Sequence, residues 1–260
     1  MTVSDTNARQ EATSRQLSVL SDECDRIGAI SASDSDVPVP AIPDWTVEKL
    51  VRHVTFVHRM ACSALSSPAS DGMKAVLSAV SKPQRGPRAF DDYRESARTM
   101  LAMYSRAGIT DEVATWGGVG TPAYWVRRQL HEVTVHRFDL QDALRASGGP
   151  DPDAADADAA ADGVAEWAET FLSRVTPTQL DGVAGRTVHL HTDDGTGMEL
   201  FLDFTGEKVK VTREHRKGDV ALRGSAQNML LALWRRRPLS VLDIVGDDAV
   251  AHALYDGVRI

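Results

Sequence analysis

The chain has 260 residues, of which 42% are hydrophobic and 25% are charged, and its formal net charge is -8. This composition is typical of a globular protein with one large domain or two ordinary ones. The negative charge argues against a nucleic-acid-binding protein, which needs a basic face, and no apolar run is long enough to predict a membrane span.

The cysteine content and the first residues of the chain indicate the cellular compartment in which the protein is expected. Cys24 and Cys62 are the two cysteines of the sequence, so it predicts neither a disulfide framework nor a cysteine metal site. The beginning of the chain is polar and lacks the apolar core of a signal peptide. We therefore expect a cytoplasmic protein, and the acidic net charge is consistent with a monomer.

Hydrophobic spacing predicts long helices in the first part of the chain, because apolar residues recur there every three or four positions. Thr46 and Thr121 are candidate N-caps, and Pro122 follows at the first helical position. Long helices joined by loops predict a four-helix bundle, whose sites are built from side chains on facing helices. The predicted helices cover about residues 9–30, 46–61, 90–107 and 121–144.

The pattern changes after Pro150. A run rich in Asp and Ala predicts a solvated fifth helix that reaches about residue 172, and from residue 185 apolar and polar residues alternate. The fold class is therefore α plus α+β, with the bundle over residues 1–178 and a small α+β domain over 179–260. This domain should contain strands near 187–191, 198–202, 208–211, 219–222 and 242–245 and helices near 225–235 and 247–255.

Two ionisable residues lie beside the apolar stripe of the fourth helix. Glu132 and His136 are four positions apart, so one lies above the other, and His53 shares the apolar face of the second helix. Two histidines and a carboxylate form a catalytic zinc site that keeps a fourth position open, and non-haem iron uses the same ligand types. Hydrogen bonding among the three side chains, without a metal, is the alternative that the spacing leaves open.

Other histidines have simpler explanations. His131 lies about 100° round the helix from Glu132, which predicts a surface position. His189 and His191 alternate to the same side of a predicted strand, where an exposed sheet face accounts for both.

Two further features concern the fourth helix. Arg137 and Asp139 are expected to cap its exposed side or to pair locally. The glycine-rich segment 116–120 precedes this helix, and its backbone N–H groups could hold a substrate carboxylate, but a loop without a ligand is the simpler prediction.

Two motifs resemble signatures of the mycothiol-dependent maleylpyruvate isomerases. Residues 43–54 read PDWTVEKLVRHV and resemble W-T-V-x-x-L-V-x-H, and residues 131–143 read HEVTVHRFDLQDA and resemble E-x-x-x-H-R-x-D. Residues 218–253 also resemble the smaller domain of that family. The resemblance implies a DinB-like bundle, a sterol-carrier-like second domain and a divalent metal, usually zinc, held by His53, Glu132 and His136.

The resemblance also implies a chemistry. Mycothiol, a thiol of actinobacteria, would bind the open metal position and lose its proton there. In the isomerase the thiolate adds to the cis double bond of maleylpyruvate, and rotation and expulsion of the thiol give fumarylpyruvate. The family has a functional arginine in its second domain, in a Gly-Arg pair that this chain replaces with the run Arg235–Arg237. Arg236 is the expected counterpart within this run, with Arg235 and Arg237 as alternatives, and could clamp a substrate carboxylate.

Other functions fit the same ligands. A mycothiol S-transferase would attack an electrophilic carbon, expel a leaving group and keep the conjugate. A non-catalytic, zinc-stabilised module that binds a small molecule is an alternative of another class. The expected partners are mycothiol and a small electrophilic substrate, with neither nucleic acid nor a membrane.

Overall fold

The computed structural model describes residues 3–108 and 110–258, with side chains from residue 7 onward. The chain divides into two compact units, of which the first ends at Asp153 and the second begins at Ala154. Within the described ranges, none of the helices combines the length and the apolarity that crossing a membrane requires.

The described part of the first unit contains four long helices that pack as a bundle. α2 packs against α4 and α5, and α1 packs against the same two helices, so each long helix has two neighbours. This arrangement is the predicted bundle, and it places side chains of α2 opposite those of α5. The long helices are α1 (Val3–Gly28), α2 (Val47–Ser66), α4 (Arg88–Tyr104) and α5 (Pro122–Ala146), and the short helix α3 (Gly72–Ser78) follows α2.

Local sequence explains where α2 begins and which face it buries. The Thr46 hydroxyl accepts a hydrogen bond from the backbone N–H of Lys49 at 3.4 Å, as expected for an N-cap. Leu50 and Val54 are fully buried on the inner face. Burying one such side chain contributes roughly 1.5–3 kcal/mol, so this stripe holds α2 against its neighbours.

A small hairpin precedes α5, where the sequence predicted a loop. β1 (Val113–Thr115) pairs antiparallel with β2 (Gly118–Gly120). Gly118 has a φ of 110°, a backbone conformation that residues with a side chain rarely adopt. The indole N–H of Trp125 donates to the carbonyl of Ala114 at 2.9 Å. This bond fixes the hairpin against the first turn of α5.

The second unit is an α+β domain built on one mixed sheet in the described residues. The strand order is β5-β4-β3-β6-β7, in which β3 and β6 are parallel and the other neighbours antiparallel. β3 is therefore the central strand, hydrogen-bonded on both sides. The elements are α6 (Ala157–Glu166), β3 (Thr187–Thr192), β4 (Glu199–Asp203), β5 (Lys210–Thr212), β6 (Val220–Gly224), α7 (Ala226–Leu233), β7 (Asp243–Gly246) and α8 (Asp248–Gly257).

The division between the units lies earlier than the boundary predicted after residue 178. α6 packs against α7, and the backbone N–H of Ala155 donates to the Gln227 side chain at 2.8 Å. The predicted fifth helix reaches its expected end, because α6 continues through a π-helical turn, Trp167–Phe171, and a 3-10 turn, Leu172–Arg174. It is less solvated than expected, since α6 buries its Ala159, Ala160 and Ala161. Its alanine-rich face is buried within the second unit, where α6 packs against α7.

Candidate metal centre

The three side chains predicted as metal ligands lie together between α2 and α5. His53 Nε2 is 3.1 Å from Glu132 Oε1, and His136 Nε2 is 3.3 Å from the same oxygen. One potential ligand atom from each residue lies within 4.8 Å of the others. The His53 side chain is 34% exposed, whereas those of Glu132 and His136 are 13% and 12% exposed. The cluster is thus largely buried and reached from the side of His53.

Aromatic rings hold His53 in place. The Trp45 ring meets the His53 ring edge-on at a centroid distance of 5.3 Å. The His136 ring meets it at 5.0 Å and 85°. Trp45 is the tryptophan of the first signature and stands just before the N-cap of α2. We infer that this tryptophan orients the first histidine of the cluster.

Two charged side chains of α5 support the cluster. Arg128, one turn before Glu132, forms an ion pair with Glu132 Oε2. Asp139 is fully buried, and its Oδ2 accepts a hydrogen bond from His136 Nδ1 at 2.9 Å. Metal-binding histidines are usually backed in this way, because the bond keeps the proton on Nδ1 and leaves Nε2 free to bind. Of the two expectations for Asp139, local pairing is confirmed by its bond to His136, whereas capping of an exposed face was wrong.

The charges of the cluster are tightly coupled. Burial raises the pKa of Glu132, but the Arg128 charge and hydrogen bonds from both histidines hold this pKa well below its usual value. Burial lowers the pKa of His136, and hydrogen bonds to Asp139 and Glu132 outweigh it, raising that pKa to about 9. Without a metal, an ionised glutamate therefore faces a protonated histidine, and a bound divalent ion would take the place of that proton.

We expect the metal-free protein to lose stability between pH 6.5 and pH 9. Protonated His136 stabilises the folded state fully below pH 6.5, and this contribution is lost as the pH rises through its folded pKa of about 9. At about 1.36 kcal/mol per pKa unit, the loss approaches ~3 kcal/mol. Urea unfolding of chelator-treated protein across this range would measure it.

The His136→Gln variant is the control for this experiment, because it lacks the titrating imidazole but retains every other group. Its free energy of unfolding should depend less steeply on pH over the same range. An equal slope in both proteins would contradict the assignment of the effect to His136.

Arg137 has a structural role that the sequence did not indicate. Its side chain is fully buried, and Nε and Nη2 donate to the two carboxylate oxygens of Glu23 on α1 at 2.7 and 3.2 Å. Nη1 donates to the carbonyl of Asp153 and to the Gln141 side chain. The expected exposed position was wrong, because α1 covers this side of α5.

Two further histidines of the bundle are buried. His131 is 1% exposed, so its predicted surface position was wrong: α5 has neighbours on two sides, α1 and α2. His58 is fully buried, with Nδ1 3.3 Å from the Ser96 hydroxyl, and burial lowers its pKa to about 3. A neutral imidazole at this position packs as part of the core.

Arg236, the predicted substrate clamp, lies in the second unit directly after α7. Its backbone N–H donates to the carbonyl of Leu231 at 2.7 Å, and its Nη1 donates to the carbonyl of Trp234 at 2.8 Å. Arg235 has a φ of 61° and reaches the carbonyl of Tyr255 at 3.0 Å. All of these contacts lie within the second unit, and the catalytic role of Arg236 stays a prediction.

The second unit contains a cluster that the sequence did not predict. His189 is 4% exposed rather than on an open sheet face. His189, His191 and His215 surround Glu199, and one potential ligand atom from each of the four lies within 4.8 Å of the others. Residues so far apart in sequence meet only through the topology of the sheet.

Comparison with known proteins identifies the family. The mycothiol maleylpyruvate isomerase N-terminal domain matches residues 20–141, and the C-terminal domain of the same family matches residues 158–253. The chain belongs to the mycothiol maleylpyruvate isomerase family. The resemblance drawn from the two signatures is thereby confirmed. The second match begins close to the division between the two units, which lies between Asp153 and Ala154.

Solved structures of the family share this fold. The structure of the mycothiol-dependent maleylpyruvate isomerase has a TM-score of 0.52 to this chain, with 12% identity over 92% of each chain. A histidine-to-alanine mutant of it gives the same values. A sterol carrier protein 2-like protein from Aedes aegypti has a TM-score of 0.31 and 17% identity, over 37% of this chain and 94% of its own. None of the curated proteins matches the chain. The two likenesses to the isomerase confirm the predicted order of a helical bundle and an α+β domain.

Proposed function

We propose that the protein is a metal-dependent enzyme that activates mycothiol for attack on an electrophilic carbon, with cis–trans isomerisation of a maleylpyruvate-like acid as its reaction. The observation that carries this proposal is the cluster of His53, Glu132 and His136, backed by Asp139, in a chain of this family. Two imidazoles and a carboxylate suit Zn²⁺, which binds three protein ligands in catalytic sites.

Each residue of the cluster would have a distinct part in holding the ion. His53 and His136 would bind through Nε2, and Glu132 would bind through a carboxylate oxygen. When bound, the ion lowers the pKa of a coordinated thiol and so supplies a nucleophile at neutral pH. Asp139 would keep the proton of His136 on Nδ1, away from the binding nitrogen.

The charges around the cluster fit this use. Arg128 keeps Glu132 ionised and engages its second oxygen, so Oε1 points between the two histidines. His53, the most exposed member of the cluster, is where thiol and substrate would approach. In the proposed reaction the thiolate adds to the cis double bond, rotation follows about the new single bond, and expulsion returns the thiol. Arg236 would clamp a substrate carboxylate.

The proposal is tested by supplying zinc-loaded protein with mycothiol and maleylpyruvate. NMR should show cis-to-trans conversion while mass spectrometry finds the thiol unchanged in amount, and a sample without thiol should show no conversion. A persistent thiol conjugate with a suitable electrophile would instead indicate an S-transferase. Bound zinc without any thiol-dependent reaction would overturn the enzyme proposal in favour of a binding module.

A further inference from the structure

Four potential metal ligands converge on one face of the sheet in the second unit. His189 and His191 are alternate residues of the central strand β3, so both project to the same side. Glu199 begins β4 and stands directly opposite His191 in the strand register. His215 lies between β5 and β6 and closes the group from the outside, where its side chain is 73% exposed.

Glu199 is the centre of this group. Its Oε2 contacts His189 Nε2, and its Oε1 is 2.5 Å from His191 Nδ1 and 3.0 Å from His215 Nδ1. The three imidazole rings lie 5.0–6.0 Å apart between centroids. Three ring nitrogens are thus directed at one carboxylate, an arrangement in which a cation could be shared by all four side chains.

Nearby arginines do not neutralise Glu199. Arg213 pairs with Glu169 at 2.9 Å, and the Arg216 guanidinium lies over the Phe201 ring at 4.5 Å. Within the described residues, the ion-pair partners of Glu199 are imidazoles rather than lysine or arginine. Its carboxylate therefore stays available to a metal cation.

We propose that His189, His191, Glu199 and His215 form a second divalent-metal site, one that binds Zn²⁺ through four protein ligands. Three nitrogens and one carboxylate oxygen are a donor set that Zn²⁺ accepts in tetrahedral geometry. Zinc bonds of about 2.0–2.2 Å place ligand atoms roughly 3.3 Å apart, so the separations of up to 4.8 Å require only small side-chain movements. Four protein ligands fill the coordination sphere, which makes the site structural.

The surroundings favour binding by a preformed site. β3 is hydrogen-bonded on both sides, so the backbone at His189 and His191 is fixed before any ion arrives. A cleft of about 480 Å³, lined in part by Glu199 and His215, gives an ion access from solvent. A bound ion would tie the segment around His215 to the sheet.

The test measures the zinc content of variants in which one of the two sites is disabled. In full-length protein carrying His53→Gln and His136→Gln, which disables the bundle cluster, we expect about one zinc ion per chain by elemental analysis. Adding His191→Gln or His215→Gln to this variant should weaken zinc binding. The loss should exceed the roughly 10–100-fold that follows when a residue hydrogen-bonded to a metal ligand is removed, because a ligand itself is lost. Zinc should also raise the melting temperature of the bundle-site variant, and it should leave the melting temperature unchanged once His191→Gln is added to that variant.

His252→Gln is the matched control, because this exposed histidine of the same unit bonds the Asp248 carbonyl outside the cluster. It should retain zinc. The His215→Gln variant controls for misfolding, because this side chain is exposed and its replacement leaves the sheet face intact. The proposal is overturned if the bundle-site variant binds no zinc, or if His191→Gln and His215→Gln leave its zinc affinity unchanged. Either result leaves the proposed function of the bundle cluster untouched.

Discussion

Replacing Glu132 by glutamine is expected to remove the metal from the bundle cluster and to lower kcat/KM at least about 1000-fold. The amide keeps the shape of the side chain but loses the charge that a divalent ion requires. It also leaves Arg128 and protonated His136 facing a neutral group. A catalytic metal supplies several kcal/mol of transition-state stabilisation, and each ~1.4 kcal/mol is tenfold in rate, which sets the size of the effect.

Glu95→Gln is the matched control for this variant, because it makes the same chemical change at an exposed position of α4. It should retain full zinc content and activity. Elemental analysis and the isomerase assay would be made on both proteins, with circular dichroism to show that each is folded. If the second unit also holds an ion, Glu132→Gln loses one zinc per chain rather than all of it. A Glu132→Gln protein with normal zinc content and activity would refute the role of this cluster.

The central cluster could be predicted because its information is local. Glu132 and His136 are one turn apart on a helix whose apolar stripe is obvious, and His53 lies on the buried face of another helix. In a bundle such faces can meet, so periodicity allowed the three residues to converge, and the resemblance to the two family signatures selected them. Arg128 could have been found in the same way, since it stands four residues before Glu132.

Burial on the flanks of α5 could not be predicted from that stripe. The sequence shows where a helix is apolar, but His131, Arg137 and Asp139 are polar and buried because α5 has α1 on one side and α2 on the other. A polar residue can be buried only if a partner satisfies it, and the partner of Arg137 is Glu23, more than a hundred positions away. Pairings of this kind depend on the complete packing.

The second cluster illustrates the same limit in a sheet. Strand alternation placed His189 and His191 on one side, but it did not indicate whether that side is covered. Glu199 and His215 reach the two histidines through the β3–β4 register and the segment after β5. The predicted position of the domain boundary was wrong for a related reason. In sequence α6 resembles a further helix of the bundle, but in the structure it packs against α7.

The buried pair of Glu23 and Arg137 is expected to dominate the stability of the bundle. Glu23→Gln removes the negative charge and leaves a fully buried guanidinium with only neutral acceptors, the Gln141 side chain and the Asp153 carbonyl. Breaking a buried ion pair in this way costs about 3–5 kcal/mol. Arg137→Met should cost less, because Glu23 would keep its contact with the partly exposed Arg26. Urea unfolding, followed by fluorescence and circular dichroism, would measure both losses.

The double variant Glu23→Leu, Arg137→Met separates the value of the ion pair from the cost of breaking it. Since both charges disappear together, its free energy of unfolding should exceed the value predicted by adding the losses of the single variants Glu23→Leu and Arg137→Met, because well-packed apolar residues replace a buried pair at little cost. Glu11→Gln, an exposed change on the same helix, should shift stability by less than about 0.5 kcal/mol. A loss below about 1 kcal/mol for Glu23→Gln would contradict the assignment, and would mean that water reaches Arg137.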